Sequence, residues 1–146
     1  MKAKSGFTLV EILIVVVILG ILAAIVIPQF TEASTEAKTS SLCTDLQTMR
    51  SQIELYKIQH NDALPGAGTA SFEDALTAQT DIYGASGTDY GPYIQKIPSN
   101  QFVADLVQDV VEKTADDTAI GGANAGWHFN TTTGGFHADS DAHTGL

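Results

Sequence analysis

The feature that most constrains the fold of this chain is a nearly uninterrupted apolar run from Phe7 to Phe30, FTLVEILIVVVILGILAAIVIPQF. It is long enough to cross a bilayer as a helix, which takes about 20 apolar residues. Between its start and Ile27, only Thr8 and Glu11 are polar. A carboxylate inside such a run is costly unless it has a partner, so Glu11 requires an explanation.

Two general interpretations of this segment leave something unexplained. A secretory signal peptide would have a shorter apolar region, followed by a cleavage site of small residues that is absent here. A plain transmembrane anchor fits the length, and Lys2 and Lys4 before the run favour a cytoplasmic N-terminus. That second interpretation accounts for every residue of the run except Glu11.

The first 30 residues resemble the N-termini of type IV prepilins and of type II secretion pseudopilins. The marks are a short basic leader that ends at Gly6, Phe7 directly after it, Glu11 as the fifth residue of the mature chain, and Pro28. The resemblance implies that a prepilin peptidase cleaves between Gly6 and Phe7. The same enzyme, also a methyltransferase, then methylates the new amine of Phe7.

The resemblance also gives Glu11 a partner. Its carboxylate is expected to meet the cationic amine of Phe7, on its own chain or on a neighbouring copy in a helical filament. Each charge would be costly alone in an apolar bundle, so the pair would fix register as well as add stability. The expected domains are a leader at residues 1–6, a transmembrane and filament-core helix at 7–30, and a globular head at 31–146.

An amphipathic helix is predicted from residue 31 to residue 60. Apolar residues recur at helical spacing and form one stripe, at Leu42, Leu46, Met49, Ile53 and Tyr56. We expect this stripe to pack on a sheet. Pro28 removes one helical hydrogen bond and predicts a kink. Cys43, beside the stripe, is predicted to be at least half-buried, and as the only cysteine it forms no intrachain disulfide.

Loops and short elements follow the long helix. Ser71 is predicted to cap a short helix, with Asp74 three residues later. The segment GPYIQKIP, residues 91–98, resembles one that runs between helix and sheet in pseudopilin-like proteins. Leu106 to Lys113 is the first strand candidate, although its sequence also fits a helix.

A hairpin is predicted near the end of the chain. Trp127 to Asn130 and Gly135 to Ala138 flank residues 131–134, which include a glycine for a left-handed turn position. This stretch also resembles the last hairpin of pseudopilin-like proteins. The predicted fold is therefore α+β and pilin-like, a long N-terminal helix whose C-terminal half packs on a small antiparallel sheet of about three strands.

Alternating polar residues after the hairpin are the main candidate for a metal site. They are His137, Asp139, Asp141 and His143. In a strand they would share one face, where carboxylates suit Ca²⁺ and imidazoles suit Zn²⁺. The major pseudopilins of type II secretion bind calcium through C-terminal aspartates. The resemblance thus makes Asp139 and Asp141, with Asp116 or Asp117, candidate Ca²⁺ ligands, although the Asp-Pro-Trp-Gly segment of those proteins is absent. The alternative is a solvated acidic tail.

Charge and motifs exclude several classes of function. The formal net charge is −10, and the chain from residue 31 onward has 16 acidic side chains against 5 basic ones. Binding to nucleic acid is not expected, because it relies on Lys and Arg. No phosphate-binding loop, Cys-x-x-Cys or His-Glu-x-x-His motif occurs, so the sequence does not predict an enzyme.

The resemblance implies a structural subunit. It would enter the bacterial inner membrane with its N-terminus in the cytoplasm, be processed, and be passed by an inner-membrane assembly platform into a periplasmic or extracellular filament. The absence of a cysteine pair favours a secretion pseudopilin. The alternatives are a surface type IV pilin and a membrane-tethered adhesion or binding module that uses a prepilin N-terminus.

Overall fold

A computed structural model of the protein describes residues 6–118, 120–122 and 124–146. Its elements, in chain order, are α1 (Leu9–Gln59), α2 (Phe72–Thr77), β1 (Val111–Thr114), β2 (Trp127–Asn130) and β3 (Phe136–Ala138). The predicted α+β, pilin-like class is confirmed. The chain divides into two compact units, and the boundary between them, after Thr39, falls within α1.

The first unit presents its apolar side chains to the outside. The large apolar side chains between Phe7 and Phe30 are 41% to 84% exposed. In the part of the chain that the structure describes, α1 alone is long and apolar enough to cross a membrane. The helix includes Pro28. A helix that is apolar on all sides requires lipid or other apolar surfaces around it.

The second unit, Ser40–Leu146, is built around the predicted stripe of α1. The buried residues of that helix are the five predicted ones, Leu42, Leu46, Met49, Ile53 and Tyr56. They form one apolar cluster with side chains of α2 and of the sheet. The largest buried apolar side chains from those two elements are Phe72, Leu76, Trp127, Phe129 and Phe136. Removing these side chains from water is the main source of stability for the unit.

Cys43 is exposed, so the prediction that it is at least half-buried was wrong. The stripe faces the sheet through positions 42 and 46, and each step along a helix turns the side chain by about 100°. Cys43 therefore points away from the direction in which Leu42 is buried.

The ends of the helices follow from local sequence. α1 stops where Asn61 and Asp62 adopt left-handed backbone angles (φ 54° and 63°), and the amide of Asp62 donates to the carbonyl of Lys57 at 2.9 Å. The predicted cap of α2 is confirmed, since the amide of Asp74 donates to Oγ of Ser71 at 3.0 Å.

The sheet has the order β1–β2–β3. β2 and β3 form the predicted antiparallel hairpin, in which Phe129 pairs with Phe136. β1 pairs with β2 in parallel, so the sheet is mixed and not antiparallel throughout. The first strand begins at Val111, because residues 101–110 form turns, and the predicted start at Leu106 was wrong. A parallel pair needs a long crossover, which residues 115–126 supply.

The segment at residues 91–98 touches both layers of the second unit. The hydroxyl of Tyr93 donates to Oε1 of Gln59 on α1 at 2.6 Å. At the other end of the segment, the indole of Trp127 in β2 donates to the carbonyl of Pro98 at 2.7 Å. This position between helix and sheet agrees with the one that the resemblance implies.

Candidate functional site

The predicted cleavage site lies just before the first helix. Residues 6–8 are outside α1, which begins at Leu9. Phe7 is 84% exposed, and a Cβ added at Gly6 would meet nothing within 4 Å. The peptide bond between Gly6 and Phe7 is therefore exposed and lies outside the helix.

Glu11 has a partner within its own chain. Its Oε2 accepts hydrogen bonds from the backbone amide of Thr8 at 2.8 Å and from the Thr8 hydroxyl at 2.9 Å. In return, the amide of Glu11 donates to Oγ1 of Thr8 at 3.2 Å. Thr8 is the N-cap of α1 and Glu11 is the third residue of the helix, so the two form a reciprocal capping box.

This contact refines the question of why the carboxylate is there. The box turns the side chain of Glu11 back towards the start of the helix and uses one of its two oxygens. Oε1 accepts no hydrogen bond from the residues that the structure describes. The sequence expectation of a charged partner did not include this contact, although the spacing Thr8-x-x-Glu11 before an apolar run is a recognised signal for it.

The three residues predicted for assembly are not at one place. Phe7 and Glu11 lie at the same end of α1, within one turn of its start. Pro28 lies roughly 25 Å further along the helix axis, at 1.5 Å per residue. Pairing between Phe7 and Glu11 and any effect of Pro28 on the helix are therefore separate features.

The outer face of the sheet, on the side away from the apolar cluster, is a second region with polar chemistry. His128 and Asn130 of β2 are 0% and 3% exposed. Asn130 donates to Oδ1 of Asp117 at 2.8 Å, and the same oxygen lies 3.9 Å from Nδ1 of His128. Burial lowers the pKa of His137, which pairs with His128 across the two strands. Asp117 thus contacts two buried polar side chains of this face.

The four candidate calcium ligands have separate environments. Oδ1 of Asp116 accepts from the hydroxyl and the amide of Thr118, and these hydrogen bonds lower the pKa of Asp116. Asp117 bonds to the amide of Asn130, while Asp141 is exposed. β3 ends at Ala138, so the predicted alternation of the following residues along one strand face was wrong.

Asp139 is fully buried and already satisfied. Its Oδ1 accepts from the amides of Gly121 at 2.6 Å and Gly122 at 3.1 Å, and its Oδ2 accepts from the amide of Ala125 at 3.2 Å. Among the described residues, no three His, Cys, Asp or Glu side chains are grouped so that they could hold a metal ion. The residues therefore do not fit the calcium site that the resemblance implies.

Comparison with known proteins gives two kinds of match. The prokaryotic N-terminal methylation motif family matches residues 1–27. The type II secretion system core protein G of Klebsiella pneumoniae is 30% identical over 107 residues, which are 72% of this chain and 74% of that protein. No solved structure is significantly similar to the chain.

Two Pseudomonas aeruginosa proteins match over shorter stretches. Its type II secretion system core protein G is 42% identical over 59 residues, 40% of this chain and 42% of that protein. A fimbrial protein is 41% identical over 54 residues, 37% of this chain and 35% of that protein. The chain thus spans less than half the length of either of these two relatives.

Proposed function

The chain belongs to the type II secretion system core protein G family, and on that premise we propose that it is the repeating structural subunit of a pseudopilus-type filament. Its role is to supply a helix for the filament core and a folded head for the filament surface. The observation that carries the proposal is the exposure of every large apolar side chain between Phe7 and Phe30.

An exposed apolar surface of this length has to be covered. Before assembly the bilayer covers it, since the segment is long enough to span one. After assembly the same segments of neighbouring copies cover one another. Lipid and packed apolar helices are similar environments, so a subunit moves between them without exposing its helix to water.

The N-terminal processing gives Glu11 its role in assembly. Hydrolysis between Gly6 and Phe7 removes the basic leader and leaves a cationic amine on Phe7. The capping box with Thr8 holds the carboxylate of Glu11 at this end of the helix. The amine of Phe7 on an adjacent copy then pairs with that carboxylate, and the cost of leaving either charge unpaired fixes the axial register.

The topology before assembly follows from charge. Lys2 and Lys4 stay in the cytoplasm and the acidic head lies on the far side of the inner membrane. The partners are copies of this chain, a prepilin peptidase that also methylates Phe7, and an inner-membrane assembly platform. No catalytic role is assigned to the head, because its family is structural.

A surface pilin is the second candidate function. It is favoured by the match to a fimbrial protein, which is 41% identical over 54 residues. The two candidates share the processing, the helix and the charge pair, and they differ in filament length and location.

Processing is tested by intact-mass measurement of the protein from a host with the peptidase. The expected mass lacks Met1 to Gly6 and carries one added methyl group. A purified protein that still carries Met1 would contradict the proposal. Electron microscopy of the same cells separates the two candidates, since long surface fibres indicate a pilin and their absence favours a short periplasmic pseudopilus.

A further inference from the structure

The loop between β1 and β2 is held to the sheet by backbone amides that converge on one carboxylate. Gly121 and Gly122 both donate to Oδ1 of Asp139, and Ala125 donates to Oδ2. The backbone amide of Asp139 also donates to the carbonyl of Gly126 at 3.1 Å, which prolongs the pairing of β2 with β3. One buried residue therefore fixes both ends of the segment 121–126.

The geometry of this cluster suits an anion and not a cation. Successive amides that point to one spot form a concave, positively polarised nest for a negative group. Gly121 has φ +94°, a left-handed angle that lets its amide and the next one reach the same oxygen. A calcium ion would require free oxygens at this position, whereas here amide hydrogens face both oxygens of Asp139.

We propose that in this chain the carboxylate of Asp139, received by the amides of residues 121, 122 and 125, replaces a bound calcium ion as the anchor of the loop, so that the head folds without calcium. Two observations made elsewhere in the head agree with this. Asp117 holds the beginning of the loop through Asn130, and Asp141 is exposed to solvent. The inference concerns the fold of the head and is independent of filament assembly.

The proposal makes distinct predictions for Asp139 and its neighbour Asp141. In Asp139→Asn the side chain keeps its shape, but its NH₂ group must face at least one amide donor and the negative charge is lost. Buried charged hydrogen bonds of this kind lower Tm by about 5–15 °C when removed. Asp141→Asn is the matched control, because that carboxylate is exposed and accepts no hydrogen bond from the described residues.

The test uses the full mature chain in detergent, with Tm measured in chelator and in millimolar calcium. We expect the same Tm for the wild type in both solutions, a lower Tm for D139N in both, and a wild-type Tm for D141N. A wild-type Tm that rises with calcium would overturn the proposal. So would a D139N protein as stable as the wild type, or a D141N protein whose Tm falls as far as that of D139N.

A second measurement needs no variant and applies even if D139N fails to fold. Hydrogen exchange of the wild type in chelator should show the amides of Gly121 and Gly122 protected, because both are bonded to a buried oxygen. Calorimetric titration with calcium should give no binding heat. Rapid exchange of these amides without calcium, followed by protection on adding it, would show that a cation is the anchor.

Discussion

The packing face of α1 in the head can be tested by one substitution made at two positions. Ile53 is 1% exposed and belongs to the apolar cluster, whereas Ile58 lies on the same helix and is 75% exposed. Replacing either residue with Ala removes three carbon atoms. At about 0.8 kcal/mol for each buried carbon, the transfer cost at Ile53 is about 2.4 kcal/mol.

A cavity adds to this cost. Large-to-small substitutions in well-packed cores reach about 2–5 kcal/mol, so Ile53→Ala should lose about 3–4 kcal/mol. For a unit of about 100 residues, this lowers Tm by roughly 10–20 °C. Ile58→Ala should stay within about 0.5 kcal/mol of the wild type, because it loses no buried contact and Ala favours a helix.

The assay is thermal unfolding of the full chain in detergent, followed by the fluorescence of Trp127. This is the single tryptophan of the chain and it is fully buried in the same cluster, so its signal reports the head and not the apolar helix. Equal losses at positions 53 and 58, or a larger loss at 58, would refute the assigned packing face.

Two further predictions concern the N-cap of α2 and the ionisation of Tyr93. Ser71→Ala removes the acceptor of the Asp74 amide and should lower the free energy of unfolding by about 1 kcal/mol, as measured by thermal unfolding. The control is Ser51→Ala, which loses only the hydrogen bond from the Ser51 hydroxyl to the Gln47 carbonyl within the helix. Equal losses of stability in the two variants would contradict the cap. Burial raises the pKa of Tyr93 to about 12, above its value of about 10 in an unfolded chain. The unfolded state therefore loses its proton first, and stability that is complete below about pH 10 should fall as the pH rises towards 12. In alkaline denaturation, Tyr93→Phe should reduce this fall in stability, whereas Tyr83→Phe, at an exposed position, should not. An unchanged dependence of stability on pH in Tyr93→Phe would show that Tyr93 is not the group responsible.

Local and periodic features of the fold were predictable from the sequence. The stripe from Leu42 to Tyr56 follows from helical spacing alone, and the five residues are buried as predicted. The cap at Ser71 and the hairpin that ends at Ala138 depend on a few neighbouring residues. Such features can be read from sequence because they involve contacts between residues that are close along the chain.

Features that depend on distant segments were not predictable in the same way. The sequence of residues 102–113 favours a strand but also fits a helix, and only pairing with β2 starts the strand at Val111. Asp139 looks like a surface carboxylate in an acidic tail until the loop from Gly121 to Ala125 folds over it. The capping box of Glu11 is different, because its signal is local and was available in the spacing from Thr8.

Replacing Glu11 and measuring filament assembly tests the proposed function most directly. The measurement is the yield and helical order of filaments by electron microscopy, for Glu11→Ala and for the control Glu32→Ala, an exposed carboxylate on the same helix. We expect E11A to be processed and held in the membrane but to form few or disordered filaments, while E32A assembles as the wild type does. Normal filaments of E11A would contradict the charge pair on which the account of assembly depends.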